Sequence, residues 1–305
     1  NAAAAGQRVL LVPVDVSKTG MIAPTPACAM ALRNRYVDAV DVMIDACQFR
    51  IASSTLRDYL AHGFIVALTG SKFLTGPTFS GALMIPQSVA QRFRRHPLPR
   101  ALSDYASRAD WPSDWDAAAV LDCVPNYGLL LRWEAALQEL KAFREVPEER
   151  ITQFLHAFAH AVTTRLQNDP LFAPLPVPPL DRGAIGTSNA WDRIPTIFPF
   201  LLFQPAPGTT SRRPMNREQT LRIYRLLQAD MSSQAGGSET GLAALRCQLG
   251  QPVTCGERDG IAISALRICA SSRLIVEAAQ GDGEAVIQRA LSVLDKAAWL
   301  VRIDK

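Results

Sequence analysis

Three runs rich in β-branched residues open the chain, and the segments between them have the character of helices. This alternation constrains the fold most. We predict a buried strand at each run: Arg8–Val16, Ala39–Asp45 and Phe64–Leu68. We predict helices between them at Ala27–Arg35 and Ser54–His62, the second with Ser53 or Ser54 as its N-cap. Strands that alternate with helices form a parallel sheet with right-handed crossovers, so the sequence predicts an α/β domain with a mostly parallel sheet.

The pattern changes after the third run. Ser80–Ile85 can return as an antiparallel strand, and long amphipathic helices follow from about residue 128. The later predicted helices are Gly128–Phe143, Pro147–Gln167, Asn216–Ala229 and Gly281–Arg302, and the later strands are Ile197–Phe203 and Ala265–Ala270. We predict a Pro-rich connector at Gln167–Thr187 and a loop at Ser232–Glu239. We expect residues 1–125 to form part of a large domain, and residues 126–305 to form connecting helices and a smaller α+β domain.

Composition and charge exclude several classes of protein. The chain has 305 residues, of which 48% are hydrophobic and 20% charged, as in ordinary globular proteins. The net charge of +4 is spread along the chain, and its densest basic run, at residues 92–96, has no aromatic ladder beside it. We therefore expect no nucleic-acid partner. No apolar run is long enough to cross a bilayer, so we expect no membrane partner either.

The cysteines and histidines favour neither a disulfide framework nor a metal centre. Six cysteines are scattered without a CxxC pair, which favours reduced thiols in a cytoplasmic protein over disulfides or a zinc site. His156 and His160 have the i, i+4 spacing of a ligand pair, but no carboxylate or cysteine joins them. We therefore favour a partly buried helix face for these histidines, and we expect no metal.

Two polar residues stand at the ends of predicted strands. Asp45 closes one strand and Lys72 follows another, and in a parallel sheet the ligand site lies beyond these carboxyl ends. Pyridoxal phosphate chemistry requires a lysine amine that forms a Schiff base with the cofactor aldehyde, and a carboxylate that keeps the pyridine nitrogen protonated. Hydroxyl and backbone N–H groups of Thr69, Gly70 and Ser71 can hold a phosphate. The alternatives are a surface lysine in a turn and an aspartate that only caps its own turn.

The segments around these residues are similar to a known family. Residues 44–48 (IDACQ) and 69–83 (TGSKFLTGPTFSGAL) resemble the class V aminotransferase group of fold-type I pyridoxal phosphate enzymes. In that group a strand ends in D-[GA]-x-Q, and a later strand leads through a [HS]-K turn to a Gly-Pro pair. This chain departs from the pattern by one additional residue between Lys72 and Gly76. Ser71 also stands where many members have histidine, although a hydroxyl remains a donor.

The resemblance implies pyridoxal 5'-phosphate as the cofactor and a role for each matched residue. Asp45 would pair with the pyridine nitrogen, and Gln48 would lie near the phenolic oxygen. Ser71, with Thr69 beside it, would contact the phosphate, and Lys72 would carry the Schiff base.

Two residues of the later segments also match the group. Arg267, in residues 265–269 (ALRIC), resembles the small-domain arginine that binds the substrate carboxylate, with a structural salt bridge as the alternative. Cys255 lies in a region where some desulfurases have a persulfide-forming cysteine. The residues around it lack the usual desulfurase loop, so we favour an inert buried thiol.

The resemblance further implies an amino acid or amine as substrate and a homodimer with its active site at the subunit interface. We favour transamination. The alternatives are β-elimination, as in desulfurases and kynureninase-like lyases, decarboxylation, and a non-catalytic scaffold that keeps the fold. The resemblance covers about the last two thirds of a full enzyme, and the chain opens on Asn1 and four alanines. We therefore expect it to be the remainder of a longer chain that contains further cofactor-binding elements.

Overall fold

Two compact units make up the chain. A computed structural model describes residues 2–205 and 212–304. The first unit contains the segments Asn1–Val16, Ile22–Glu145 and Asp181–Asp192; the second contains Ser17–Met21, Val146–Leu180 and Arg193–Lys305. The chain therefore leaves the first unit after residue 145 and comes back to it for residues 181–192, which we call the returning segment.

The first unit has a four-stranded sheet with order β1-β2-β3-β4. Its elements are β1 (Val9–Leu11), α1 (Pro26–Arg35), β2 (Val40–Asp45), α2 (Ser53–Ala61), β3 (Ile65–Thr69), β4 (Gly81–Met84), α3 (Gln87–Phe93) and α4 (Tyr127–Arg144). Strands β1, β2 and β3 are parallel, and β4 is antiparallel to β3. The predicted parallel sheet and its antiparallel last strand are both confirmed. Helix α4, which the sequence analysis assigned to residues beyond the large domain, lies in this unit.

The two faces of this sheet differ in burial because side chains alternate along each strand. Val42, Ile44 and Val66 lie in the core, where they pack with Ala29 of α1 and Tyr59 of α2. The opposite face carries the half-buried side chains of Asp45, Ala67 and Thr69. The polar residues at the strand ends therefore belong to the face that the core does not cover.

The first predicted strand is shorter and more exposed than expected. Only Val9–Leu11 pairs continuously with β2, and an isolated parallel β-bridge joins Val14 to Asp45. Val9 and Leu10 are 40% and 53% exposed. The prediction of a buried strand over Arg8–Val16 was wrong, since β1 is the edge strand of the described sheet and one of its sides has no neighbour.

The predicted cap of α2 was also wrong. The N-cap is Ala52, which has no side chain able to accept a hydrogen bond. The Asp192 carboxylate from the returning segment takes this role, because its Oδ2 accepts the Ala52 N–H at 2.7 Å and the Thr55 hydroxyl at 2.7 Å. A tertiary contact therefore replaces the local cap that Ser53 or Ser54 would have supplied.

The second unit is built on an antiparallel sheet with order β5-β6-β9-β8, and β7 pairs with β6. Its elements are α5 (Glu148–Asn168), β5 (Phe172–Pro174), β6 (Ile197–Pro205), β7 (Arg212–Pro214), α6 (Arg217–Leu227), α7 (Thr240–Ala244), β8 (Gly250–Arg258), β9 (Ile261–Cys269), α8 (Ser272–Gln280) and α9 (Gly283–Ile303). The predicted helices, strands and α+β class agree with this unit. Among the described residues, no helix is both long and apolar enough to cross a membrane.

Strands β5, β7 and β8 and helices α7 and α8 were not predicted from the sequence. Strand β5 lies inside the segment predicted as a Pro-rich connector. Strand β8 contains Pro252 and two glycines, and its pairing with β9 shifts register twice. Proline and bulges are tolerated there because β8 is an edge strand, which hides the alternation that a strand prediction needs.

One lysine of the second unit is fully buried. Lys296 of α9 donates to the carbonyl oxygens of Leu227, Ala229 and Leu245, at the ends of α6 and α7. The last carbonyls of a helix have no partner within the helix, so this ammonium satisfies them.

A buried ionic network holds the returning segment in the first unit. Arg182 is 0% exposed, and its Nε and Nη2 both donate to the Asp15 carboxylate at 2.7 Å. The Tyr59 hydroxyl donates to the same carboxylate at 2.8 Å, and Arg182 Nη1 donates to the Asp192 carbonyl at 2.6 Å. Burial would lower the pKa of Arg182, yet the charge and hydrogen bonds of Asp15 raise it overall. The Arg182 guanidinium therefore keeps its charge inside the core, where Asp15 binds it with two hydrogen bonds.

Replacing Asp15 by asparagine tests the importance of this network. Asp15→Asn keeps the shape of the side chain but removes the nearer of the two carboxylates beside the Arg182 guanidinium, and leaves Asp192 at 3.8 Å as the remaining counter-charge. We therefore expect a loss of about 3 kcal/mol in the free energy of unfolding, the lower end of the range for a broken buried pair. Urea unfolding followed by circular dichroism measures it. The control is Arg94→Ala, which removes an ion pair with Asp114 whose side chains are 39% and 61% exposed. We expect a change within about 0.5 kcal/mol there, and equal midpoints for the two variants would contradict the assignment.

Candidate functional site

The turns that follow β2 and β3 contact each other. The Phe73 N–H donates to the Gln48 carbonyl at 3.3 Å, and the Arg50 guanidinium lies over the Phe73 ring at 5.2 Å. At the strand ends, the Ala46 N–H donates to the Ala67 carbonyl at 3.0 Å. The segments that contain Asp45 and Lys72 are therefore joined within the first unit, at the carboxyl end of its sheet.

The turn that carries Lys72, residues 70–76, is closed by its own backbone; we call it the lysine turn. The Gly76 N–H donates to the Gly70 carbonyl and the Thr75 N–H to the Lys72 carbonyl, both at 2.9 Å. Thr75 has a φ of 58°, a left-handed conformation that is uncommon for a β-branched residue. Phe73 is 1% exposed and points inward, whereas Lys72 is exposed.

Helix α4 packs directly on the lysine turn. A Cβ atom on Gly70 would lie 2.4 Å from the Ala136 Cβ, and one on Gly76 would lie 2.8 Å from it. Ala136 itself is fully buried. The glycines at both ends of the turn are therefore required by this close approach of the helix.

The polar groups around the lysine turn fit a ligand with a phosphate and a basic nitrogen. The Thr69 and Ser71 hydroxyls lie 2.7 Å apart and are half-buried. Asp45 Oδ1 accepts the Cys47 N–H at 3.1 Å, and the Cys47 thiol also hydrogen-bonds to this carboxylate. Within the described residues, no ion pair reaches the Asp45 carboxylate, and no hydrogen bond reaches the Lys72 ammonium. A carboxylate, an amine and two hydroxyls therefore remain able to bind a ligand.

Backbone N–H groups contribute less than the sequence suggested. The Gly70 N–H donates to the Ser80 carbonyl at 3.0 Å, and the Ser71 N–H donates to Thr69 Oγ1 at 3.1 Å. Both donors are thus already used. Hydroxyl groups, rather than backbone N–H groups, remain as donors for a phosphate at this turn.

A groove next to Cys47 provides space for a ligand, although Asp45, Thr69, Ser71 and Lys72 do not line it. It has a volume of about 1190 Å³ and lies on the uncovered face of the sheet, where Cys47, Ala67, Gly81 and Leu83 line it. Ala67 pairs with Asp45 on one side and with Leu83 on the other, so these side chains share one face. The groove therefore has room for a small molecule.

The pKa of Cys47, a residue that was not among the predicted site residues, depends on the charges of both Asp45 and Lys72. The pKa of the Cys47 thiol is raised to about 11, mainly by burial and further by the hydrogen bond and the charge of the Asp45 carboxylate, whereas the Lys72 ammonium opposes the rise. The thiol is therefore near both side chains. No local sequence pattern identifies such a residue, because the effect depends on the contact between the two turns.

The rate of alkylation of Cys47 tests, without any cofactor, whether Asp45 and Lys72 both lie near this thiol. Below pH 11 the thiolate fraction rises tenfold for each unit by which the pKa falls. We expect Asp45→Asn to speed the reaction of Cys47 with iodoacetamide at pH 8 by about tenfold, and Lys72→Met to slow it. Peptide mass spectrometry measures the rates, with the exposed Cys28 as an internal reference. Equal rates in the wild type and both variants would show that neither charge lies near the thiol.

The other predicted residues lie in the second unit. Arg267 of β9 is half-buried, and its Nη1 donates to the Lys18 carbonyl at 3.1 Å. It pairs with Gly250 of β8, where a Cβ atom would lie 2.2 Å from the Arg267 Nε. The Cys255 thiol is half-buried in an apolar cluster and contacts the Val253 carbonyl at 3.2 Å.

The two histidines do not lie on a buried face. His156 and His160 are both exposed on α5, so the predicted partly buried face was wrong. The opposite side of the helix carries the residues that enter the core, among them Leu155 and Phe158. Within residues 2–205 and 212–304, no group of three or more His, Cys, Asp or Glu side chains is arranged to hold a metal ion.

Comparison with known proteins gives matches in structure only. No protein-family model and no curated protein sequence matches the chain. The cystine C-S lyase C-DES, in complex with its product cysteine persulfide, matches with a TM-score of 0.54 and 17% identity over 94% of this chain and 60% of that chain. A lysine-to-alanine mutant of C-DES, with glycine covalently linked to its PLP cofactor, matches with a TM-score of 0.53 and 17% identity over the same shares.

A ureidoglycine-glyoxylate aminotransferase from Bacillus subtilis gives a TM-score of 0.47 and 14% identity over 96% of this chain and 65% of that chain. The chain thus spans 60% to 65% of the length of these structures. The two C-DES structures have the stronger likeness, and at their level of identity it concerns the fold. The chain has the fold of the fold-type I pyridoxal phosphate enzymes, as its resemblance to the class V aminotransferase group implied.

Proposed function

We propose that the chain belongs to a pyridoxal phosphate enzyme that acts on an amino acid or a related amine, with Lys72 as the residue that binds the cofactor. The observation that supports this most is the contact between the turns that follow β2 and β3, which brings Lys72 and Asp45 to the same end of the sheet. Both charges act on the Cys47 thiol, and neither has an ion-pair partner among the described residues. Unpaired opposite charges at a strand end have little structural use, whereas a cofactor would bind both.

The chain's own groups match the parts of this cofactor. When bound, pyridoxal phosphate withdraws electrons from the substrate's α-carbon. The Asp45 carboxylate would accept a hydrogen bond from the pyridine nitrogen and stabilise its positive charge. The hydroxyls of Thr69 and Ser71 would donate to the phosphate, and Gln48 would lie near the phenolic oxygen. Lys72, exposed on a closed turn, would move a proton at the α-carbon.

Transamination is the reaction that we propose first. Arg267 would bind the substrate carboxylate through its guanidinium fork. Elimination at the β-carbon is the second candidate, because the structural match with the higher TM-score is named a cystine C-S lyase. We further propose a cytoplasmic homodimer, for which the six free cysteines and the family resemblance are the support.

Trapping the cofactor tests the proposal directly. We expect the purified protein to stay yellow after incubation with pyridoxal phosphate and removal of the unbound cofactor, and borohydride to attach the cofactor to the peptide that contains Lys72. Lys72→Arg keeps the charge but cannot form the bond, so borohydride should attach no cofactor to that peptide. Lys18→Arg is the matched control and should bind the cofactor like the wild type. A colourless wild type, or attachment at another lysine, would refute the proposed function.

The products distinguish the two reactions. With a panel of amino acids, a transaminase should leave the cofactor in its pyridoxamine form and release a keto acid. A lyase that eliminates at the β-carbon should release sulfide from cysteine, or cysteine persulfide from cystine, with pyruvate and ammonia in each case. A non-catalytic protein should give none of these products although it has the fold.

Gly250→Ala tests the role of Arg267 without changing Arg267 itself. The added methyl would displace the guanidinium from its place over β8. We expect the KM for a substrate with a carboxylate to rise about tenfold, as for the loss of one charge-assisted hydrogen bond, with kcat nearly unchanged. Gly241→Ala is the control, because its Cβ would meet open space. An unchanged KM in Gly250→Ala, or an equal rise with an amine that lacks the carboxylate, would contradict the role of Arg267.

A further inference from the structure

The residue after Lys72 belongs to a cluster of three aromatic rings. Trp191 of the returning segment stacks on Phe73, with centroids 5.2 Å apart and planes 11° apart. Phe143 of α4 meets both rings edge-on, at 5.3 Å from each. Phe73 and Trp191 are 1% and 6% exposed. The ring cluster therefore joins the lysine turn, α4 and the returning segment inside the first unit.

This cluster restricts the direction in which Lys72 points. Lys72 is exposed, and its ammonium has no hydrogen bond or ion pair in the described part of the chain, so its side chain does not hold its own backbone in place. The adjacent Cα atom is fixed through Phe73, whose ring is enclosed by the two others and whose N–H is bound to Gln48. Fixing Phe73 therefore fixes the turn from which Lys72 projects.

Trp191 is itself held firmly. The next residue, Asp192, accepts hydrogen bonds from Ala52 and Thr55 at the start of α2. Arg182, at the other end of the segment, binds Asp15 and the Asp192 carbonyl. Trp191 is thus a rigid support rather than a loop side chain that follows the motion of the turn.

We propose that Trp191 is a positioning residue for Lys72: through its stack on Phe73, it keeps the lysine turn in the geometry that binds the cofactor. The proposal rests on the proposed function, since it concerns the same lysine. Trp191 would not contact the cofactor. Its loss should loosen the turn and weaken cofactor binding while the sheet remains folded.

Amide hydrogen exchange tests the hold on the turn without the cofactor. In Trp191→Leu we expect the amides of Phe73, Thr75 and Gly76 to exchange about tenfold faster, near the upper limit of what one stacked aromatic pair contributes. Amides of β2 and α1 should keep their wild-type rates. Trp191→Phe, which keeps a ring, should restore most of the protection. Trp299→Leu is the control: it removes an equally buried tryptophan of the second unit, whose Nε1 donates to Glu239.

Cofactor titration tests the consequence for Lys72. We expect Trp191→Leu to bind pyridoxal phosphate about tenfold more weakly and to shift the pH at which the absorbance of the bound cofactor changes. Trp191→Phe should stay close to the wild type, and Trp299→Leu should not shift the pH dependence even if it lowers thermal stability. If Trp191→Leu fails to fold, Phe143→Leu removes the two edge contacts but keeps the stack of Phe73 on Trp191. It should show the same effects, about threefold in size.

The outcomes separate this proposal from the proposed function. A wild type that takes up no cofactor refutes the proposed function, and the exchange rates still decide whether Trp191 holds the turn. If the wild type binds the cofactor and Trp191→Leu binds it equally well with unchanged turn amides, the positioning role is overturned. A uniform acceleration of all amides in the first unit also overturns it, because it indicates global destabilisation.

Discussion

The buried pair of Arg182 and Asp15 is the interaction on which the first unit depends. These residues are 167 positions apart in sequence, and their bidentate contact closes the returning segment onto the sheet. A charged pair at this depth is stable only when its remaining hydrogen-bonding capacity is satisfied, and Tyr59 and the Asp192 carbonyl satisfy it. The pair therefore contributes mainly by specifying where the segment lies, and Asp192 and Trp191 take their places from it.

Lys296 and Lys72 differ in how their charges are accommodated: one is buried and the other is exposed. Lys296 is completely buried, and three carbonyl oxygens at helix ends surround its ammonium. Lys72 is exposed, and the described residues give it no hydrogen bond, although a carboxylate stands on the neighbouring turn. Because burial of a charge requires partners whereas exposure does not, only Lys72 remains chemically available. The distinction follows from the surroundings of each lysine and not from its sequence neighbours.

The sequence alone predicted the parts of the fold that local patterns encode. The β-branched runs identified strands β2 and β3 closely, and their alternation with helices predicted the parallel sheet. It also predicted that Asp45 closes one strand and that Lys72 follows the end of another. The local patterns failed where a distant residue decides the outcome: Ala52 is capped by Asp192, and β8 is a strand because β9 pairs with it despite Pro252.

The candidate site likewise has a part that local sequence predicts and a part that depends on residues distant in sequence. A motif of fifteen residues suffices to find Lys72, because its turn, its hydroxyls and its glycines are contiguous in sequence. What holds the lysine in place is not contiguous, since Ala136 presses on the turn from α4 and Trp191 stacks on Phe73 from the returning segment. A chain with the same motif but without these two contacts would present a lysine on a turn free to move. The motif therefore identifies the chemistry, and the tertiary packing determines whether the lysine is oriented to perform it.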